Sequence, residues 1–315
     1  MARRGFLILL GVQAAAFWPV WGWAAARVRG GDADEIVALL AAAAALLVAP
    51  RVHERAGLQT LPLPRSVDAL ALRKRQAPLA APAAVRGGAR HHAHETSEIP
   101  VRVLVLPTLF TIAYAASAAL GAPPLLRAMV ASCALLATWS AWRWGARPHP
   151  AALGLVLLAL PALPTAQFVL GFPLRVAAGE IAARMLRLCG LAVVRDGVSL
   201  RLGERLVGID APCSGVNMLW MALLLALVLA ALGGVSTART AALASAAALL
   251  AVAGNGLRAA SLFFTESGIV ALPGGLSAES VHGPLGVVSF ALAVAPLVWL
   301  SLRGQRAAER NRGVA

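Results

Sequence analysis

The chain has 315 residues, 59% of them hydrophobic and only 13% charged, and a formal net charge of +14. A soluble globular domain carries about 25% charged residues, so this composition excludes an ordinary soluble fold and points to a polytopic membrane protein. The basic residues flank apolar segments instead of forming a soluble patch, which sets nucleic acid aside as a partner. Three cysteines without a C-x-x-C spacing give neither a disulfide framework nor a zinc site.

Crossing a bilayer takes about 20 apolar residues. Eight stretches approach that length: 6–26, 34–50, 101–121, 123–142, 150–172, 213–232, 240–263 and 284–302. The first, in "MARRGFLILLGVQAAAFWPVWGWAAA", has the basic start and Ala-rich end of a signal peptide. Its apolar run is long for one and Trp-rich at the far end, like an interfacial belt, so an uncleaved helix is expected. The first two stretches make a helix pair over 1–50, and another pair occupies 101–149. Between them, 51–100 mixes Pro, Ala and Arg without periodicity and reads as a mobile basic loop. His91, His92, His94 and Glu95 in that loop have the composition of a metal tract. In a flexible basic segment they read as solvated, and no metal is assigned.

Orientation follows from Lys and Arg. With the N-terminus inside, the inner segments are 1–5, 51–100, 143–149, 233–239 and 303–315. Together with Arg102 they hold 18 of the 28 basic residues and five of the 14 acids. The positive-inside rule then places both termini in the cytoplasm, the second within a basic tail over 304–315.

Segment 174–212 accordingly falls outside. In "RVAAGEIAARMLRLCGL", Val176, Ile181, Met185, Leu186 and Leu188 recur at roughly helical spacing around Arg184 and Arg187, as in a helix lying on the membrane surface. In "AVVRDGVSLRLGERLVGID" apolar and polar residues largely alternate, predicting a small β-hairpin bent at Asp196-Gly197. The two form a compact outer cap that delivers the chain to "DAPCSGVNMLW".

On this topology three chemically useful residues reach the same membrane face. Cys213 opens the sixth span, Arg258 lies about 9 Å of helix rise below the outer end of the seventh, and His282 precedes the eighth, with Pro284 in its first turn. Asn255 stands three residues before Arg258, on the same helix face. Asp210 as a cap and Pro212 in the first turn would set Cys213 among unpaired helix N–H groups, which favour a thiolate. Arg258 would stabilise the thiolate or an oxyanion, and His282 would move the proton. The plain alternative is that Cys213, like Cys133 and Cys189, is a small apolar filler and His282 a solvated loop residue. An arginine within a span is costlier, at least about 2.5 kcal/mol near mid-membrane, so Arg258 calls for a functional or paired role. A transporter or channel with Arg258 in an anion pathway is one such role. A non-catalytic scaffold and a thiol-redox enzyme are two further alternatives.

At these residues the sequence resembles the exosortase/archaeosortase family of membrane transpeptidases. The resemblance rests on "APCSGVNML", "NGLR" and "HGPLGVV", and on the lead-in "VVRDGVSLRLGERLVGID", and covers residues 150–302. It implies a catalytic core over 150–303 with Cys213 as nucleophile, Arg258 as transition-state stabiliser and His282 as acid/base, supported by Asn255, Ser214 and Gly215. It further implies that the substrates are exported proteins. Their C-terminal sorting signal would comprise a Pro-Glu-Pro-like motif, an apolar helix and a basic tail. The product would pass to an amine or glycolipid acceptor or to water, at the outer face of the cytoplasmic membrane and without a metal or organic cofactor. The expected architecture is an all-α polytopic bundle of about eight spans with a small outer cap; residues 1–149 contribute no motif to the resemblance.

Overall fold

The computed structural model describes residues 2–29, 101–144, 146–210, 213–270 and 277–313. The expected span 34–50 and the loop 51–100 with its histidines lie outside them, as does Pro212. The described chain is mostly helical: α1 (Ala2–Ala16), α2 (Trp18–Arg29), α3 (Val101–Ala119), α4 (Pro124–Trp144), α5 (Pro150–Leu158), α6 (Leu163–Leu188), α7 (Val216–Gly233), α8 (Thr237–Glu266) and α9 (Ala278–Gly313). Three strands, β1 (Val194–Asp196), β2 (Ser199–Leu202) and β3 (Arg205–Gly208), lie between α6 and α7.

Four helices among the described residues are long and apolar enough to cross a membrane, over Pro124–Arg143, Val216–Gly233, Thr237–Glu266 and Ser280–Gly304. Counting each of two bent pairs as one span raises this to six, and Val103–Ala119 is apolar but shorter. The protein is therefore a multi-pass helical membrane protein, with fewer full spans here than the eight apolar stretches suggest.

Two of those stretches are broken. The first bends by 54° at Phe17, between α1 and α2. Phe17 is buried there with its ring 4.2 Å from that of Tyr114, so packing against α3 takes the place of a straight helix. The fifth stretch bends by 95° between α5 and α6. The cause is "ALPALP", where Pro161 and Pro164 stand three residues apart: one ends α5 and the other fits the first turn of α6. At about 14 Å, α5 covers roughly half of a 30 Å hydrocarbon layer. The surface helix expected from 174 is thus the far part of α6, which begins at 163 and carries Pro173 inside it.

α8 is the hub, packed against α6, α7 and α9. Small residues allow the close approach: a Cβ on Gly254 would lie 2.6 Å from Ala293, and one on Gly256 would lie 2.6 Å from Ile181 Cβ. At about 45 Å, α8 outruns the hydrocarbon layer, so its final turns can stand clear of it. Those turns support the strands. The expected single hairpin is a three-stranded antiparallel meander, β1-β2-β3, with Gly197 and Gly203 at positive φ in the two bends. "LGER" supplies the second bend, which alternation alone passed over. Leu200 pairs across the ladder with Val207, and both pack on Ala182, Ala183 and Leu186 of α6 and Phe263 of α8. The sheet is thereby fixed to the end of α8.

Candidate active site

The chain leaves β3 through Ile209, whose N–H bonds to the Val198 carbonyl, and turns so that the Cys213 N–H bonds to the Asp210 carbonyl. Ile209, Cys213 and Leu262 form one small apolar cluster. α7 then begins at Val216, three residues later than the sequence suggests, with Gly215 as its N-cap at φ 86°. Asp210 is therefore not the cap, and Cys213 stands outside the first helical turn. Burial decides the thiol instead. Cys213 is 9% exposed, and its desolvation pushes the thiol above its ordinary value. The charge of Arg258 pulls it back, while Glu266 and Asp210 add to the rise. The net shift is upward, toward the thiol, against the thiolate that a helix start would favour.

Asn255 and Ser214 hold this turn. Asn255, 2% exposed, donates from Nδ2 to the Cys213 carbonyl at 3.1 Å. Ser214 donates to Gln167 Oε1 at 2.8 Å, and Gln167 Nε2 donates to Asn217 Oδ1 at 3.1 Å. Gln167 on α6 thus ties the cysteine turn to the start of α7. Neither Gln167 nor Glu266 was singled out by the sequence, because each is a single polar residue in an apolar context with no spacing signature.

His282 also sits differently from expectation. α9 starts at Ala278, so His282 lies inside it and Pro284 is absorbed into the helix. Ser277 explains the early start: its side chain accepts the Ser280 N–H at 3.3 Å, a cap at "SAES" that outweighs the Pro signal. His282 Nδ1 comes within 3.9 Å of Cys213 Sγ, and its Nε2 lies 2.8 Å from Glu266 Oε1. Arg258 Nη2 donates to the His282 carbonyl at 3.4 Å, and its buried Nε has no protein partner. All four of Cys213, Asn255, Arg258 and His282 line one cleft, together with Asp210, Glu266 and apolar side chains of the sheet and α8. Residues 42 to 69 positions apart in sequence meet there. Among the described residues no group of acidic, histidine and cysteine side chains is arranged to hold a metal.

A cysteine, a histidine that can take its proton and an arginine lining the same cleft suit nucleophilic attack on a carbonyl. The model of the transmembrane exosortase family matches residues 69–299. The chain belongs to that family. The exosortase match begins well before residue 150, where the resemblance was first legible, and takes in α3, α4 and α5 as well as the site. No curated protein and no solved structure matches the chain.

Proposed function

We propose that this exosortase is a cysteine transpeptidase or protease that cuts a C-terminal sorting signal from exported proteins, with Cys213, Arg258 and His282 as its catalytic residues. The observation that carries the reading is the approach of Cys213 Sγ to His282 Nδ1, at 3.9 Å, in an open cleft that Arg258 also lines. In the proposed reaction Sγ adds to the carbonyl carbon of the scissile peptide as its proton passes to Nδ1. Arg258, which lines the cleft, supplies positive charge for the oxyanion. Collapse breaks the C–N bond, the departing amine takes the proton from His282, and a thioester remains. An amine, a glycolipid hydroxyl or water then gives its proton to His282 and attacks the thioester, and the sulfur leaves as a thiol. Asn255, Ser214 and Gly215 shape the turn that presents the sulfur.

The charge bias along the chain supports a cytoplasmic-membrane protein with both termini inside and the cleft on the outer face. The substrate's apolar helix would then lie in the bilayer beside the bundle and bring its cleavage motif to Cys213. The decisive experiment uses membranes containing wild type or Cys213→Ala with a secreted reporter that ends in a Pro-Glu-Pro-type tripartite tail. Wild type should cut the reporter and accumulate a hydroxylamine-sensitive thioester, and Cys213→Ala should do neither. Cleavage by Cys213→Ala would overturn the mechanism. Labelling of Cys213 in intact cells by a membrane-impermeant thiol reagent tests the orientation, and labelling only after lysis would reverse it.

A further inference from the structure

The imidazole of His282 has two partners and one hydrogen to share between its nitrogens when neutral. Nε2 lies 2.8 Å from Glu266 Oε1 and Nδ1 lies 3.9 Å from Cys213 Sγ. An ionised carboxylate accepts hydrogen bonds and cannot donate them, so a contact of this length requires the hydrogen on Nε2. The lone pair is then on Nδ1, facing the thiol. The opposite tautomer would set a ring lone pair against the carboxylate and present an N–H to the sulfur, leaving no acceptor for its proton.

The position of Glu266 is built into the fold. It occupies the last turn of α8, next to buried Leu262 and Phe263, and the Ser267 N–H bonds to the Phe263 carbonyl to close that turn. α9 enters with Ser277 as its cap and carries His282 one turn later. Among the described residues the ion-pair contact of Glu266 is with His282 alone, and the two side chains are shielded to similar degrees, 26% and 31% exposed. Arg258 comes from the same helix but donates to the His282 backbone, which leaves the carboxylate to the ring.

We infer that Glu266 is a positioning residue for His282, holding the ring as its Nε2–H tautomer with Nδ1 toward Cys213 and stabilising the imidazolium formed when the ring accepts the thiol proton. This deepens the transpeptidase reading above and, as far as catalysis goes, rests on it.

Two measurements test the inference separately from that reading. The first is 15N NMR of protein labelled at histidine, in micelles, with the His282 signals assigned by difference from His282→Gln. Wild type should show a protonated Nε2 and a bare Nδ1, and Glu266→Gln should shift the population toward the other tautomer. A protonated Nδ1 in wild type, or identical signals in Glu266→Gln, would refute the assignment whatever the enzyme cleaves. The second is reporter cleavage by wild type, Glu266→Gln, Glu266→Asp and Cys213→Ala. Glu266→Gln should lower kcat roughly 100-fold with KM changed by less than about twofold, and Glu266→Asp should recover about a tenth of the wild-type rate or more. A full rate in Glu266→Gln beside a dead Cys213→Ala would remove Glu266 from the mechanism and leave the nucleophile standing. Cleavage by Cys213→Ala would remove the transpeptidase reading, while the NMR result would still decide the tautomer.

Discussion

Gly215→Ala places one methyl group under the turn that carries Cys213. Gly215 has φ 86°, a conformation that costs an L-residue with a Cβ about 1–2 kcal/mol. The new Cβ would fall 2.5 Å from Asn255 Nδ2 and 2.7 Å from its Cγ, so Asn255 has to move. Because Asn255 is 2% exposed, there is little room for it, and overpacking of this kind costs about 1–3 kcal/mol. Moving Nδ2 also breaks its 3.1 Å bond to the Cys213 carbonyl, roughly another 1 kcal/mol. The expected total is about 3–6 kcal/mol. Gly190→Ala is the internal control: its φ is 87°, but a Cβ there meets nothing within 4 Å, so it carries the backbone strain alone. Unfolding in mixed micelles by titration with a denaturing detergent should separate the two variants by roughly 2–4 kcal/mol. Reporter cleavage should fall roughly 100-fold in Gly215→Ala, the scale of a 1 Å displacement of a nucleophile, and stay near wild type in Gly190→Ala. Equal losses in the two variants would mean that Asn255 does not hold the cysteine turn.

The pH response of Cys213 follows from its burial. The folded thiol keeps its proton to higher pH than an unfolded one, which titrates near 8.5. Its contribution to stability is therefore full below about pH 8.5 and is lost as pH rises through the raised folded value. Alkylation of Cys213 in wild type should still be climbing above about pH 8.5, and Arg258→Gln should move that curve to higher pH by removing the one charge that opposes the rise. A plateau reached at neutral pH would show a thiolate and refute the burial argument. At the α6–α8 contact, Gly256→Ala should cost about 1–3 kcal/mol, because its Cβ would collide with Ile181. Ile181→Ala in the same chain should return part of that loss, and strictly additive effects in the double-mutant cycle would show that the two helices do not touch there.

The sequence disclosed most where one rule acted alone. Apolar length found α4, α7 and α8 to within a few residues, and alternation found the first bend of the sheet. It failed where two signals competed. Pro284 signals a helix start, but the Ser277 cap three residues before Ser280 acts earlier and draws His282 into α9. The prolines at 161 and 164 divided an apolar stretch that length alone read as one span. Cys213 was placed on a helix because Asp210 and Pro212 resemble a start signal, whereas Gly215, the residue able to take φ 86°, sets the boundary. Glu266 left no periodic trace at all, since its partner is 16 residues away across a loop.

That last boundary bears on how the site works. A cysteine in the first turn of α7 would be activated continuously by the helix end, whether or not a substrate was present. Set three residues earlier and packed with Ile209 and Leu262, it is shifted toward the thiol by desolvation, and the nearby carboxylates add to that shift while Arg258 opposes it. On the proposed mechanism its activation would fall to His282, whose Nδ1 stands 3.9 Å away, longer than a close S–H···N contact. On the proposed mechanism, a substrate carbonyl entering the cleft would supply the missing drive, because charge developing on its oxygen meets the charge of Arg258 while the thiol proton moves to the ring. On that mechanism the arrangement would couple nucleophile formation to occupancy of the cleft, and the thiol would stay in its less reactive form between turnovers.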